Sequence, residues 1–195
     1  LNGALTQAFA SKDVLGVGAS TLVASGSYSV SDGNGGNNYS VSVLTAPGTI
    51  SPAPLTITAQ DVSKVYGQTP ALSAFDASAL ANGETVGSVT LSSVGQVATA
   101  SVAGSPYAIV PSNATGGTFT PGNYSISYVN GVLTVTPAPL TITAQDVGKV
   151  YGQAPALTGF DASTLVNGET VGSVTLTSAG QAATAGVVEI GRAHV

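Results

Sequence analysis

The sequence predicts an all-β protein made of tandem small domains, with at most one short helix in each repeat. Three observations carry that expectation. The segment Leu55 to Val102 returns 85 residues later as Leu140 to Val187, with 38 of 48 aligned pairs identical and no gap. Short runs alternate apolar and polar residues with the period of half-buried strands. An Asn-Gly pair, the strongest short hairpin signal, sits between two such runs at Asn130-Gly131. A period this long marks copies of a whole small domain, and such arrays usually provide reach and surface rather than one-site chemistry.

Within one repeat, Leu55-Thr56-Ile57-Thr58-Ala59 alternates cleanly, which puts Leu55, Ile57 and Ala59 on a core face. Val62, Val65 and Tyr66 follow, and Gly67 ends that segment. Pro70-Ala71-Leu72 is expected to be extended. Asp76 to Gly83 has the composition of one helical turn, with Asp76 as N-cap and Asn82-Gly83 as the stop. Val86 to Ser93 reads as a strand with Val89 and Leu91 inward, and Val97 to Val102 and Tyr107 to Pro111 are fainter strand signals. Tyr124 to Tyr128 and Leu133 to Thr136 are expected to close the domain as a hairpin around Asn130-Gly131.

The register sets the domain boundaries. Asn38-Tyr39-Ser40 and Pro52-Ala53-Pro54 stand 85 residues before Asn123-Tyr124-Ser125 and Pro137-Ala138-Pro139. Residues 1–53 therefore read as the C-terminal part of an upstream repeat of a different subtype, 54–138 as a complete repeat and 139–188 as a truncated second one. Both ends look cut. Residues 189–195 break the repeat, and one codon choice for them, GAG ATC GGA AGA GCA CAC GTC, closely resembles a short-read sequencing adapter. That tail holds the sole Arg and sole His, Arg192 and His194. Because the second copy stops before its closing strands, its strand Leu140 to Ala144 is expected to expose an apolar face. Pro52, Pro54, Pro137 and Pro139 are expected to act as stiff inter-domain joints, since proline fixes φ and two in three residues favour an extended link.

Composition excludes several functions. Charged residues make up only 7% of the chain, net charge is −5, and outside the tail the cations are Lys12, Lys64 and Lys149. Nucleic-acid binding through a basic patch is not expected. With no Cys there is neither a disulfide nor a thiolate metal site. No integral membrane segment is expected, because Ser, Thr and Gly interrupt every apolar stretch.

These residues resemble a known family. The run LTITAQDVxKVYG, the central ANGE or VNGE, and the ending NYSxxYxNGxLTVTPAPLTITA resemble the MBG repeat of the YGX type, with Tyr66-Gly67 and Tyr151-Gly152 as its signature. The upstream GSYSVSDGNGGNNYS resembles part of the companion YDG-type repeat. The resemblance implies an immunoglobulin-like or β-grasp-like fold. It also implies a place in large filamentous-haemagglutinin-like adhesins on the bacterial cell surface, associated with the outer membrane. It supplies no catalytic residues and no cofactor.

Each candidate site competes with a plainer role. Asp61, Asp76 and Glu84 recur as Asp146, Asp161 and Glu169, and paired acids can serve a glycosidase. Capping, turns and solvation explain them better, because an enzyme seldom duplicates its site in adjoining domains. The Gly/Asn-rich stretch Ser31 to Asn38 has one acid, Asp32, where calcium wants several, so a hairpin loop between Tyr28-Ser29-Val30 and Tyr39-Ser40-Val41 is expected. Asn38, Asn113 and Asn123 open N-x-S/T sequons. Lys64 with Glu84, and Lys149 with Glu169, could support an intramolecular Lys–Asn amide, the plainer reading being a surface Asp61–Lys64 pair. Tyr66 and Tyr151 are candidate glycan contacts. The expected function is a non-enzymatic stalk that spaces a binding region from the cell and reaches a host or matrix receptor through other parts of the parent protein. The alternative is a carbohydrate-binding accessory module of a secreted protein.

Overall fold

The computed structural model describes residue 3 and residues 5–186. Arg192, His194 and the rest of the suspected adapter tail lie outside the described residues. The chain is mostly β. Its strands are β1 (Thr6–Phe9), β2 (Ser20–Ser25), β3 (Ala46–Gly48), β4 (Ala53–Ala59), β5 (Val62–Val65), β6 (Phe75–Ala77), β7 (Val86–Ser92), β8 (Tyr107–Gly117), β9 (Tyr124–Val129), β10 (Gly131–Thr136), β11 (Ile142–Ala144) and β12 (Phe160–Ala162). Among the described residues, helical structure is limited to single 3-10 turns of three residues.

The chain folds as two compact units. The first takes the residues up to Val62, Ala71–Ser93 and Tyr107–Leu133; the second takes Ser63–Pro70, Val94–Pro106 and the residues from Thr134 onward.

In the first unit, β1, β2 and β3 form an antiparallel sheet. A second sheet runs β6-β4-β9, with β4 antiparallel to β6 and parallel to β9. In a third, β8 pairs antiparallel with both β7 and the start of β10. The alternation of LTITA does what the pattern requires: Leu55, Ile57 and Ala59 are buried. Leu55 and Ile57 of β4 pack with Ala114 of β8, Phe119 and Tyr124, and Phe75, Val86, Val89 and Ile126 close around them. Burying each large aliphatic side chain stabilises by about 1.5–3 kcal/mol. The aromatic pair Phe119–Tyr124 meets at 5.9 Å and a 59° tilt, a favourable edge-inclined geometry.

Several expectations are corrected. The closing strands form, but not as a hairpin: β9 lies beside β4 while β10 lies beside β8. Asn130 and Gly131 accordingly do not adopt the positive φ of a hairpin turn. Gly131 serves close approach instead, since a Cβ there would stand 2.5 Å from the Ala59 carbonyl oxygen. Asp76 is a strand residue in β6 rather than an N-cap, and its carboxylate accepts from the Gln60 amide. The turn that does form, Ala81–Gly83, has Leu80 at its cap position. Its stop was legible, as Asn82 and Gly83 take φ of 54° and 68°.

Residues Val97 to Val102 form turns, not a strand. The Tyr107 signal extends much further than Pro111, to Gly117, with a bulge opposite Ser88–Thr90 where Asn113 takes φ 50°. Upstream, Tyr39-Ser40-Val41 is not a strand, so Ser31 to Asn38 is not a hairpin loop. Pro54 falls inside β4, opposite Ser125. It is tolerated there because β6 pairs only with Ile57–Ala59, leaving one side of residue 54 without a ladder.

In the second unit, Tyr66 N–H donates to the Thr136 carbonyl at 2.9 Å and Thr136 Oγ1 donates to the Lys64 carbonyl at 3.1 Å, which ties the Lys64–Tyr66 segment to the end of β10. β11 pairs with β12 in the register that β4 keeps with β6. Its three residues are all exposed.

Candidate functional site

The repeat signature builds one compact turn, twice. Lys64 is buried, 3% exposed, and its ammonium donates to the carbonyl oxygens of Gln68, at 3.0 Å, and Val97. Gly67 N–H donates to the Ala98 carbonyl at 3.1 Å, and the Gln96 amide donates to the Pro70 carbonyl at 2.9 Å. Gln68 turns back to accept from the Val65 N–H at 2.9 Å. Four of these five bonds recur 85 residues on: Lys149 to Ala182 at 2.6 Å, Gly152 to Ala183 at 3.2 Å, Gln181 to Pro155 at 3.2 Å, and Val150 to Gln153 at 3.1 Å. The apolar residues of KVYGQ alone gave no sign that its Lys is the buried peg of the turn. The expected surface Asp61–Lys64 pair is replaced: Asp61 accepts from the Val132 N–H at 2.7 Å.

The Asn-Gly-Glu loop also keeps its shape in both copies, with φ of 54° and 68° at Asn82-Gly83 and 56° and 74° at Asn167-Gly168. Each loop meets the segment before its own repeat. In the first unit, Glu84 takes the Tyr124 hydroxyl at 2.8 Å and the Lys12 ammonium at 3.4 Å. Lys12 also meets Asp13 at 3.4 Å, and Asn123 joins the same cluster, donating to Asp13 and accepting from Val14 N–H, both at 2.8 Å. The Asn123 amide bond and the neighbouring Lys12 hold the Asp13 carboxyl below the usual range. Burial, followed by the bond to Glu84, pushes the Tyr124 phenol up. In the second unit, the Tyr66 hydroxyl donates to Glu169 at 2.5 Å and the Asn167 amide donates to the Ala98 carbonyl at 3.3 Å. The bond to Glu169 raises the Tyr66 phenol above its ordinary value. A cavity of about 250 Å³ lies beside this contact, lined by Tyr66, Val102, Pro137, Pro139, Leu165 and Val166 among others.

The remaining candidates separate. Tyr151 is 69% exposed. Asp32 is saturated by its own loop, accepting from the N–H groups of Asn34 at 2.9 Å, Gly36 at 2.7 Å and Asn38 at 3.1 Å. Those bonds, Gly36 first, hold its carboxyl below the usual range. Among the described residues no group of acids and imidazoles is placed to hold a metal ion, and no helix is long and apolar enough to cross a membrane. Of the sequons, Asn123 has its amide committed to Asp13, Asn113 sits at the β8 bulge, and Asn38 accepts from the Asn34 amide at 3.1 Å.

No curated protein and no solved structure matches the chain. The family model of the MBG domain (YGX type) matches residues 55–134 and again 140–192. Those two spans carry both copies of the Tyr-Gly turn and of the Asn-Gly-Glu loop, and the chain belongs to the MBG domain (YGX type) family.

Proposed function

We propose that this chain is a spacer segment of a bacterial cell-surface or secreted adhesin, its repeats holding a receptor-binding region away from the cell. The observation that carries this reading is the pair of near-identical repeats whose shared residues go mainly to internal turns and, at Tyr66 and Glu169, to a contact between repeats. Most of the carboxylates that recur are likewise committed to structural partners: Asp76 to Gln60, Asp161 to Gln145, and Glu84 to Tyr124 and Lys12. That leaves little for catalysis, and the reading assigns none. The receptor, in a host or matrix, is engaged by other parts of the parent protein. The upstream segment is read as a YDG-type repeat on its GSYSVSDGNGG run.

The test is immunogold labelling of intact cells with antibody raised to the chain, with and without prior protease treatment. Label on untreated cells that protease removes is expected. Label that appears only after lysis would sink the reading. A carbohydrate-binding role remains the second reading, favoured by the exposed Tyr151 ring. Reproducible glycan-array signal that disappears in Tyr151→Ala would establish it.

A further inference from the structure

We propose that the Tyr-Gly turn and the Asn-Gly-Glu loop are two halves of a repeat-to-repeat latch, and that Tyr151-Gly152 is an open half that takes the loop of a further repeat of the same kind. The inference stands on geometry and does not depend on the parent being an adhesin.

The closed latch is visible in the second unit. Tyr66 of one repeat bonds to Glu169 of the next, and Asn167 bonds back to Ala98. A phenol donating to a carboxylate is a short, charge-assisted bond, stronger than a neutral one. Gly67 explains the second letter of the signature. Its φ is +93°, and a Cβ there would lie 2.7 Å from Val166 Cβ. Both the backbone conformation and the approach of the next repeat's loop therefore call for glycine.

The open half is the same object without its partner. Gly152 takes φ +90°, and a Cβ there would meet nothing within 4 Å. Tyr151 and Val150 are 69% and 70% exposed. The peg and brace that shape the turn keep their bonds to Ala182, from Lys149, and to the Val150 N–H, at Gln153. The socket is thus formed before anything fills it, which lowers the ordering cost of docking. What fills it is indicated within the chain, because the loop of residues 166–169 covers the equivalent surface at Tyr66-Gly67.

The first junction shows how far the rule extends. The equivalent loop there, through Glu84, meets a preceding segment that carries Lys12 rather than a Tyr-Gly turn. The acid is the constant half of the contact, and its donor changes with the type of the preceding repeat. An array of YGX-type repeats would then be latched Tyr-to-Glu at every joint, and only the joint to a different repeat type would use an ammonium.

Two experiments test this on the full chain, whose lack of cysteine permits site-specific labelling. Nitroxides placed at Ala103→Cys and Thr175→Cys, both exposed positions of the second unit, are measured by pulsed electron resonance. A narrow distance distribution is expected, broadened by Tyr66→Phe, by Glu169→Gln and by Gly67→Ala, with circular dichroism unchanged. A distribution that is broad already, or equally narrow in Tyr66→Phe and Glu169→Gln, overturns the latch. Tyrosine nitration then tests the open half. In the chain as it stands, Tyr151 is expected to react faster than Tyr66. In a chain continued after Val187 by a copy of residues 103–186, Tyr151 should slow to the rate of Tyr66. An unchanged Tyr151 rate overturns the assignment of that surface.

Discussion

Lys64 shows how much one side chain decides in a protein so poor in charge. An ammonium is costly to bury unless its donors are satisfied, and Lys64 meets this by donating to the carbonyl oxygens of Gln68 and Val97, the second of which also takes the Ala100 N–H. Lys64→Ala is expected to destabilise the chain by about 1–3 kcal/mol, through the loss of two charge-assisted hydrogen bonds and of the packing of a buried side chain. Lys149→Ala should cost less, because Lys149 is less buried and water can replace it. Urea unfolding of the two variants checks the order, and equal losses would show that burial is not the reason. Asp32 makes a separate prediction. Its carboxyl is held below the usual range, so its contribution to the order of loop 32–38 is present above the unfolded value and is lost as pH falls through the lower, folded one. Amide exchange at Gly36 is expected to accelerate in strong acid, and Asp32→Asn should show that faster exchange already at neutral pH.

At the scale of the element, β4 and β11 have nearly the same sequence and opposite fates. Leu55 and Ile57 are 1% and 0% exposed, whereas Leu140 and Ile142 are 47% and 41% exposed. The difference lies in neighbours: β9 runs beside β4, and among the described residues no strand stands in that place beside β11. Hydrogen exchange should therefore be much slower at Leu55–Ala59 than at Ile142–Ala144. Equal protection would mean that these strands do not depend on a β9-like neighbour. Gly131 separates turn chemistry from packing. Gly131→Ala is expected to cost about 1–3 kcal/mol from overpacking against the Ala59 carbonyl, although Gly131 is outside the left-handed region that favours glycine; a neutral effect by thermal unfolding would refute the close-approach argument.

For the molecule as a whole, the chemistry of the latch predicts a response to alkali. The Tyr66 phenol is raised above its ordinary value of 10.0 by its bond to Glu169. The contribution of that bond is therefore complete below the unfolded value and disappears as pH rises through the higher folded value. Above it, two anions face each other. The distance distribution of the labelled pair should stay narrow at neutral pH and broaden only beyond the ordinary tyrosine range. In Tyr66→Phe it should be broad and insensitive to pH over that interval. Broadening near neutrality would point to another group.

The sequence alone determined the period, the mostly-β class, the inward face of LTITA and the positive-φ stop at Asn82-Gly83, because each is a local pattern read against a fixed backbone geometry. It also singled out Tyr66-Gly67 and the Asn-Gly-Glu loop as signatures without saying what they are for. Only the tertiary structure decided that β9 and β10 part into different sheets, that Lys64 is a buried peg, and that Tyr66 meets Glu169 across 103 residues. Local preference cannot show whether an Asn-Gly pair is a turn or a point of close approach. Nor can it show whether a lysine between apolar residues points outward. Both depend on which distant backbone arrives beside them.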